Sequence, residues 1–429
     1  MPKKILPFEG VGKDNLVTFS TAACLNDIGE EMYAPYLSYF ALTFLGVTPL
    51  QYGLIEGITE GVNRILRFFT GAFSDQIGRR MPVVLGYILI ALSRLGLPMV
   101  RNWVGFLPIR GLRQVGRSLR DPAREASIAE SVPETLRGRA FGLLETVDTV
   151  GAAIGPILGL FILTMVTSGQ IRFILTIHGS RTAYLWLFMW ASVPTILSAF
   201  IIWFFLQETK RFARQHQAFP TEPGKRAAEQ GSIRLWQGLR IFIRQRALFR
   251  ITLAHMVLAL GAVPVPMILY YAYKELKANE LQGAILFISY AIAHFLSSYP
   301  SGWMVDKLGR FWSQAIGNLI CGVALLLVIL VPSPLLMVIP MVLYGIFEAI
   351  WVTARRAIIA DLAYIRIRAQ TLGTFSAFYG LAALVSPILL GWVWQQVTPR
   401  LAFLLASLIC GGSIFILRSG FRRIPWPGT

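Results

Sequence analysis

Hydrophobic residues run through this chain in long blocks separated by short polar and basic stretches. A helix needs roughly 20 mostly apolar residues to cross a bilayer. Twelve blocks are long enough: 15–45, 51–73, 82–100, 103–121, 139–167, 183–207, 249–273, 281–305, 312–332, 334–355, 368–395 and 400–418. Composition agrees, with 55% hydrophobic and 14% charged residues, where soluble domains carry about 25% charged. One soluble core could not bury that many apolar blocks at this length. The pattern therefore predicts an all-α integral membrane protein with twelve transmembrane helices.

The polar joints repeat. Gly71, Asp75, Gly78 and Arg79 form G-x-x-x-D-x-x-G-R between the second and third blocks, and Arg80 follows. Gly302, Asp306, Gly309 and Arg310 restate the pattern 231 residues later. At the same offset Ala123-Arg124 matches Ala354-Arg355, Arg137 matches Arg368, Gly142 matches Gly373, and Pro156 matches Pro387. Pro35 and Tyr39 likewise match Pro266 and Tyr270, whereas Gly53 and Gly283 are offset by 230. A repeat this long predicts two pseudo-symmetric six-helix bundles. The expected division is 1–207, a linker at 208–247 with an amphipathic surface helix from Ile233 to Phe249, and 248–429. Transporters built from such repeats hold substrate near the bilayer midplane, at the repeat interface.

The doubled loop resembles that between the second and third helices of the major facilitator superfamily, with its echo between the eighth and ninth. The resemblance covers nearly the whole chain. It implies a cytoplasmic loop whose Asp and Arg lock the outward-facing state, a gating role carried here to Gly71, Asp75, Gly78, Arg79, Asp306, Gly309 and Arg310.

A net charge of +18 raises the question of nucleic acid. Its distribution answers against that partner, because Lys and Arg crowd alternate loops: Arg79 and Arg80, Arg124 to Arg139, Lys210 to Arg250, Lys307 and Arg310, Arg366 and Arg368. This is the positive-inside pattern of a multi-pass protein of a bacterial inner membrane, or a membrane derived from it, with both termini cytoplasmic. The basic excess then faces anionic lipid. No cleavable signal is visible. Cys24, Cys321 and Cys410 fall in separate blocks without metal spacing, which predicts neither a disulfide framework nor zinc.

Charges inside the blocks mark candidate chemistry, since intramembrane ionisable residues are expensive and face the protein interior. The first block carries Asn26, Asp27, Glu30 and Glu31; the second Glu56, Glu60, Arg64 and Arg67; the third Arg94. The fourth carries Arg110, Arg113, Arg117 and Arg120 on one face, and the fifth adds Glu145 and Asp148. Glu60 and Arg64 stand in the favourable i, i+4 order. Together they predict a charged network in the N-terminal half. Asp27 and Glu30, unpaired on their own helix, are the expected coupling or substrate acids, with Glu56, Glu60, Arg64, Arg113, Arg117, Glu145 and Asp148 around them. In the C-terminal half, His255, Tyr290, His294, Glu348 and Arg355 stand inside blocks, and a lone His294 reads as a hydrogen-bonded structural residue.

Two segments add resemblances. Arg113-Gln114-Val115-Gly116 is similar to the fourth-helix motif that the superfamily ties to proton transfer, one residue short in spacing. Gly151, Gly155, Pro156 and Gly159 resemble the fifth-helix G-x-x-x-G-P-x-x-G motif of drug–proton antiporters, where small residues permit close helix approach and Pro bends the helix.

These features imply a secondary transporter working by alternating access, exporting a small solute against protons. No Walker sequence, cofactor motif or catalytic constellation is present, so neither ATP nor an enzymatic role is expected. One alternative is iron: Asn26, Asp27, Glu30 and Glu56 are hard oxygen donors, and residues 23–35 look like the opening of transporters of magnetosome membranes. Another is a non-transporting sensor or assembly protein, with other membrane proteins as partners. Substrate, transport direction and coupling ion are not legible from one sequence.

Overall fold

The structure, a computed structural model, describes residues 11–131, 137–168, 179–208, 242–362 and 368–421. The linker segment from Ile233 to residue 241 lies outside them. The side chains at Gly71, Asp75, Glu145 and Asp148 also lie outside what is described.

In the first half, α1 is Val11–Glu31, α2 Ala34–Leu45, α3 Pro49–Ile77, α4 Arg80–Gly96, α5 Trp103–Ser131, α6 Arg137–Ser168 and α7 Arg181–Phe205. In the second, α8 is Arg246–Gly261, α9 Val265–Lys274, α10 Glu280–Lys307, α11 Gly309–Leu330, α12 Val338–Leu362, α13 Arg368–Gln396 and α14 Pro399–Phe421. No strand occurs among the described residues.

The helices follow the expected blocks with two corrections. The first and seventh blocks are each broken into two helices, at 32–33 and 262–264. Pro35 and Pro266 sit in the first turns of α2 and α9, where a ring cannot extend the preceding hydrogen-bond ladder. Helices α5 and α12 also run to Ser131 and Leu362, well past the expected ends at 121 and 355. Hydropathy marks the apolar part of a helix, and these continue as polar extensions.

Among the described residues, eight spans are by themselves long and apolar enough to cross a membrane. The other four, α1–α2, α3, α5 and α6, carry most of the charges within the spans of the first half, Arg94 of α4 being the exception. The polarity is inverted relative to a soluble protein. Helix α7 buries Tyr184, Ala191, Thr195 and Ser198, while Trp190, Leu197, Phe200 and Phe204 are 48% to 68% exposed. Lipid covers such an outer face, and small or hydrogen-bonded residues fill the inner one.

Backbone packing gives two units: Met1–Phe40 with Leu66–Phe219, and Ala41–Ile65 with Pro220–Thr429. In the first, α4 packs on α5, α1 on α6 and α7, and α4 on α7. In the second, the equivalent pairs form: α11 on α12, α8 on α13 and α14, and α11 on α14. The 231-residue repeat is thus a repeat of packing. The division differs from the sequence boundary at 207 in one stretch, 41–65. There Gly53, Gly57 and Gly61 lay one face of α3 against Leu384, Pro387 and Ile388 of α13. In the first unit, Gly151, Gly155 and Gly159 seat α6 against α1, where a Cβ on Gly155 would meet Glu31 Cβ, Ile28 O and Met32 N at 2.8 Å each.

The glycines that close the two loop motifs are needed for their backbone. Gly78 and Gly309 adopt φ of +116° and +83° at the turns before α4 and α11, a region that disfavours side chains. Cys321 and Cys410, on α11 and α14, touch at 3.4 Å between sulfurs as free thiols.

Candidate functional site

The centre of the N-terminal unit is Arg94, near the end of α4 and wholly buried. Its Nη2 donates to Glu30 Oε2 at 2.7 Å and to Asn26 O and Oδ1 at 3.3 Å each. Its Nη1 donates to Ala191 O at 3.1 Å and to Thr195 Oγ1. The guanidinium also lies 5.6 Å from the Tyr33 ring centroid. One arginine therefore joins α1, α4 and α7. Gly29 makes room for it, because a Cβ there would meet Arg94 Nη1 at 2.6 Å. The second oxygen of Glu30 pairs with Arg113 of α5. Glu30 is thus clamped by two buried arginines, an arrangement that satisfies a charge the interior could not otherwise hold.

The other two acids of α1 are placed differently. Asp27 Oδ1 accepts from Asn26 Nδ2 at 2.9 Å, and Glu31 Oε2 is buried with no hydrogen-bond partner. Among the described residues neither makes an ion pair. Both stand in the last turns of α1, immediately before the break.

A second cluster lies further along α5. Asp121 pairs with Arg120 at 2.7 Å, with Arg67 of α3, and with Arg117 at 3.9 Å. Arg120 lies 5.1 Å from the Tyr87 ring centroid of α4. The helices cross there at Gly86 and Gly116, where a Cβ on either would meet the other's carbonyl at 2.7 Å. The aligned arginines of α5 thus do meet acids, but two different ones: Arg113 goes to Glu30, and Arg117 and Arg120 go to Asp121.

Glu60 and Arg64 form their i, i+4 ion pair at 2.7 Å. They do so in the C-terminal unit, with the Arg64 guanidinium 4.6 Å from the Tyr379 ring centroid. The expectation that span two joins one N-terminal network is corrected for these residues, because the glycine stripe of α3 carries them onto α13. Glu56 is buried in the same stretch. In that unit His255 Nδ1 contacts Ile251 O at 2.8 Å, and Tyr290 donates its phenol proton to Glu348.

The two loop motifs share a positive-φ glycine followed by an arginine, but the partners differ. Glu208 accepts from the backbone N–H of Arg79 at 3.0 Å and of Arg80 at 3.1 Å, so a carboxylate caps the N-terminus of α4. Arg79 Nη1 donates to Ser74 Oγ at 2.8 Å. In the second copy Arg310 bridges Asp306 and Asp361, each at 3.0 Å.

Several of these residues were not among the sequence candidates. Asp361 carried a signal, since Glu130 stands 231 residues before it. Glu208 has no such counterpart. Arg94 was visible as the sole charge of its span, but its partners Asn26 and Thr195 have no spacing that reveals them. Among the described residues no three His, Cys, Asp or Glu side chains converge as a metal site. The oxygen donors named for iron are divided: Glu30 is held by arginines, and Glu56 belongs to the other unit.

Comparison with known proteins agrees with this architecture. The Major Facilitator Superfamily profile matches residues 19–273 and 251–425. An uncharacterised MFS-type transporter of Methanocaldococcus jannaschii is 29% identical over 399 residues, 92% of each chain. The multidrug resistance protein MdtH of Cronobacter sakazakii is 32% identical over 137 residues, 32% of this chain and 34% of that one. Among solved structures, a bacterial homologue of the lysosomal transporter Spinster, inward-facing and unoccupied, superposes with a TM-score of 0.70 at 16% identity, covering 96% of each chain. A peptide transporter of the POT family superposes with a TM-score of 0.74 at 16% identity, covering 95% of this chain and 94% of that one. These likenesses carry the fold, and the profile match carries the family. The chain is a multi-pass membrane transporter for small molecules, and it belongs to the Major Facilitator Superfamily.

Proposed function

We propose that the protein is a secondary transporter that exports a small solute in exchange for protons by alternating access. One observation carries this reading: Asp27 and Glu31 stand in the last turns of α1, at the break before α2, outside the arginine clamp that holds Glu30. An acid with an arginine on each oxygen is held ionised. An acid without one can take up and release a proton as its surroundings change. Glu30, Arg94 and Arg113 then form the fixed frame, and Asp27 and Glu31 the exchangeable sites. Export is favoured by the small-residue motif of α6 and by the partial likeness to a multidrug resistance protein. Both termini are assigned to the cytoplasm. The iron reading loses support from the pairing of Glu30.

The test uses an efflux-deficient bacterial host, comparing intracellular retention of a compound panel with and without the protein. Retention of at least one compound should fall on expression and return when a protonophore is added. Efflux that survives the protonophore would overturn proton coupling.

The loop motif, Asp75 included, is proposed as the gate, with Arg79 and Glu208 at the start of α4 and Asp306, Arg310 and Asp361 in the second copy. Asp75→Asn, Arg79→Ala and Glu208→Gln should each slow efflux several-fold while membrane expression stays at the wild-type level. Normal efflux in all three variants removes the gate.

A further inference from the structure

The C-terminal unit contains a second charged cluster, of opposite character to the clamp around Glu30. Arg355 of α12 lies 4.0 Å from the Trp351 ring centroid and 5.9 Å from that of Tyr379. Arg64 approaches the same Tyr379 ring at 4.6 Å. Trp351 and Tyr379 are themselves packed at 5.2 Å, so two guanidiniums share one aromatic platform. Gly380 allows this, since a Cβ there would stand 2.7 Å from Arg64 Cβ.

Two carboxylates, Glu60 and Glu348, stand within electrostatic reach of Arg64 and Arg355. Arg64 has Glu60, and Glu348 takes the Tyr290 phenol proton, but among the described residues Arg355 makes no ion pair. Trp351 is 6% exposed and its indole Nε1 has no hydrogen-bond partner; Arg64 Nε is also buried without one. A buried indole N–H normally finds an acceptor, and an intramembrane arginine normally finds an acid.

We propose that Arg64, Arg355 and Trp351 form the recognition site for a small organic anion: a carboxylate or similar oxyanion carried on a flat apolar body. The guanidinium fork and the indole N–H would take the oxyanion, and the Trp351 and Tyr379 rings the body. This deepens the transporter reading by naming its substrate class, and it rests on that reading for calling the ligand a substrate.

Binding of 2-naphthoate, neutral 2-naphthamide and cationic 2-naphthylmethylamine to the full-length protein in phosphatidylcholine nanodiscs tests the assignment, with no proton gradient present. Naphthoate should bind at least about tenfold more tightly than the amide, the usual scale for one charge-assisted hydrogen bond. Arg355→Gln should weaken naphthoate binding about tenfold or more, Arg355→Lys should restore part of it, and Trp351→Phe should weaken it several-fold. Thermal unfolding of each variant checks the fold, and Trp351→Phe serves if Arg355→Gln does not fold. Equal binding of amide or amine, or naphthoate affinity unchanged in both Arg355→Gln and Trp351→Phe, overturns the site. Displacement of naphthoate by added phosphatidylglycerol would assign the oxyanion to a lipid headgroup and overturn the substrate claim. Naphthoate binding with no gradient-driven flux of naphthoate or of any panel compound would sink the transporter reading and leave the anion site standing. Proton-coupled efflux of other compounds without naphthoate binding would do the reverse.

Discussion

Arg94→Met is expected to destabilise the N-terminal unit severely. Methionine fills much of the volume but donates nothing. The substitution leaves Glu30 with Arg113 as its only arginine, and it strips donors from Asn26, Ala191 and Thr195. Removing one partner of a buried ion pair costs about 3 to 5 kcal/mol. For a unit of this size that corresponds to a fall in unfolding temperature of roughly 10 °C. Tryptophan fluorescence of detergent-purified protein on heating measures it. Adding Glu30→Gln to Arg94→Met should recover about 1 to 3 kcal/mol, because the stranded carboxylate is gone. If the double variant loses the full sum of the single losses, the two side chains are not coupled and the clamp is misassigned.

Asp27→Asn is expected to do the opposite: leave the fold and remove the function. Asparagine keeps the shape and can still accept from Asn26 Nδ2, the hydrogen bond Asp27 makes. Its unfolding temperature should therefore stay near wild type. Asparagine cannot carry a proton, so concentrative efflux should be abolished. The comparison with Glu30→Gln is informative. Glu30 is an arginine partner on both oxygens, so its neutralisation should cost stability as well as flux. Flux of wild-type size and pH dependence in Asp27→Asn would exclude Asp27 as a coupling acid and shift the role to Glu31.

Much of the fold is legible in the sequence because membrane insertion and duplication leave coarse signals. A span must be long and apolar, so the blocks mark where the helices lie, though not the polar extensions that carry two of them to Ser131 and Leu362. The 231-residue offset marked equivalent elements, and the same helix pairs pack in both units. The G-x-x-x-G spacing pointed to α6, whose glycines lie against α1. What escaped depends on three-dimensional neighbours. Arg94, Asn26 and Thr195 converge from helices far apart in sequence, and no periodicity joins them. Glu208 caps α4 from across the unit, outside any repeat. The first half of α3 packs with residues beyond 220 because its glycine face finds α13, and a glycine face does not name its partner. Helix breaks were also invisible to hydropathy, since one proline inside a long apolar block does not interrupt it.

The central claim is that proton movement and solute movement are one process through the acids of α1. Proteoliposomes holding the purified protein and an entrapped pH-sensitive dye, with a pH gradient imposed across the membrane, test it most directly. Adding a compound identified by the efflux screen should collapse the gradient in wild-type vesicles and leave it intact in Asp27→Asn vesicles. A gradient untouched by every effluxed compound in wild-type vesicles, or collapsed equally in both preparations, would contradict the claim.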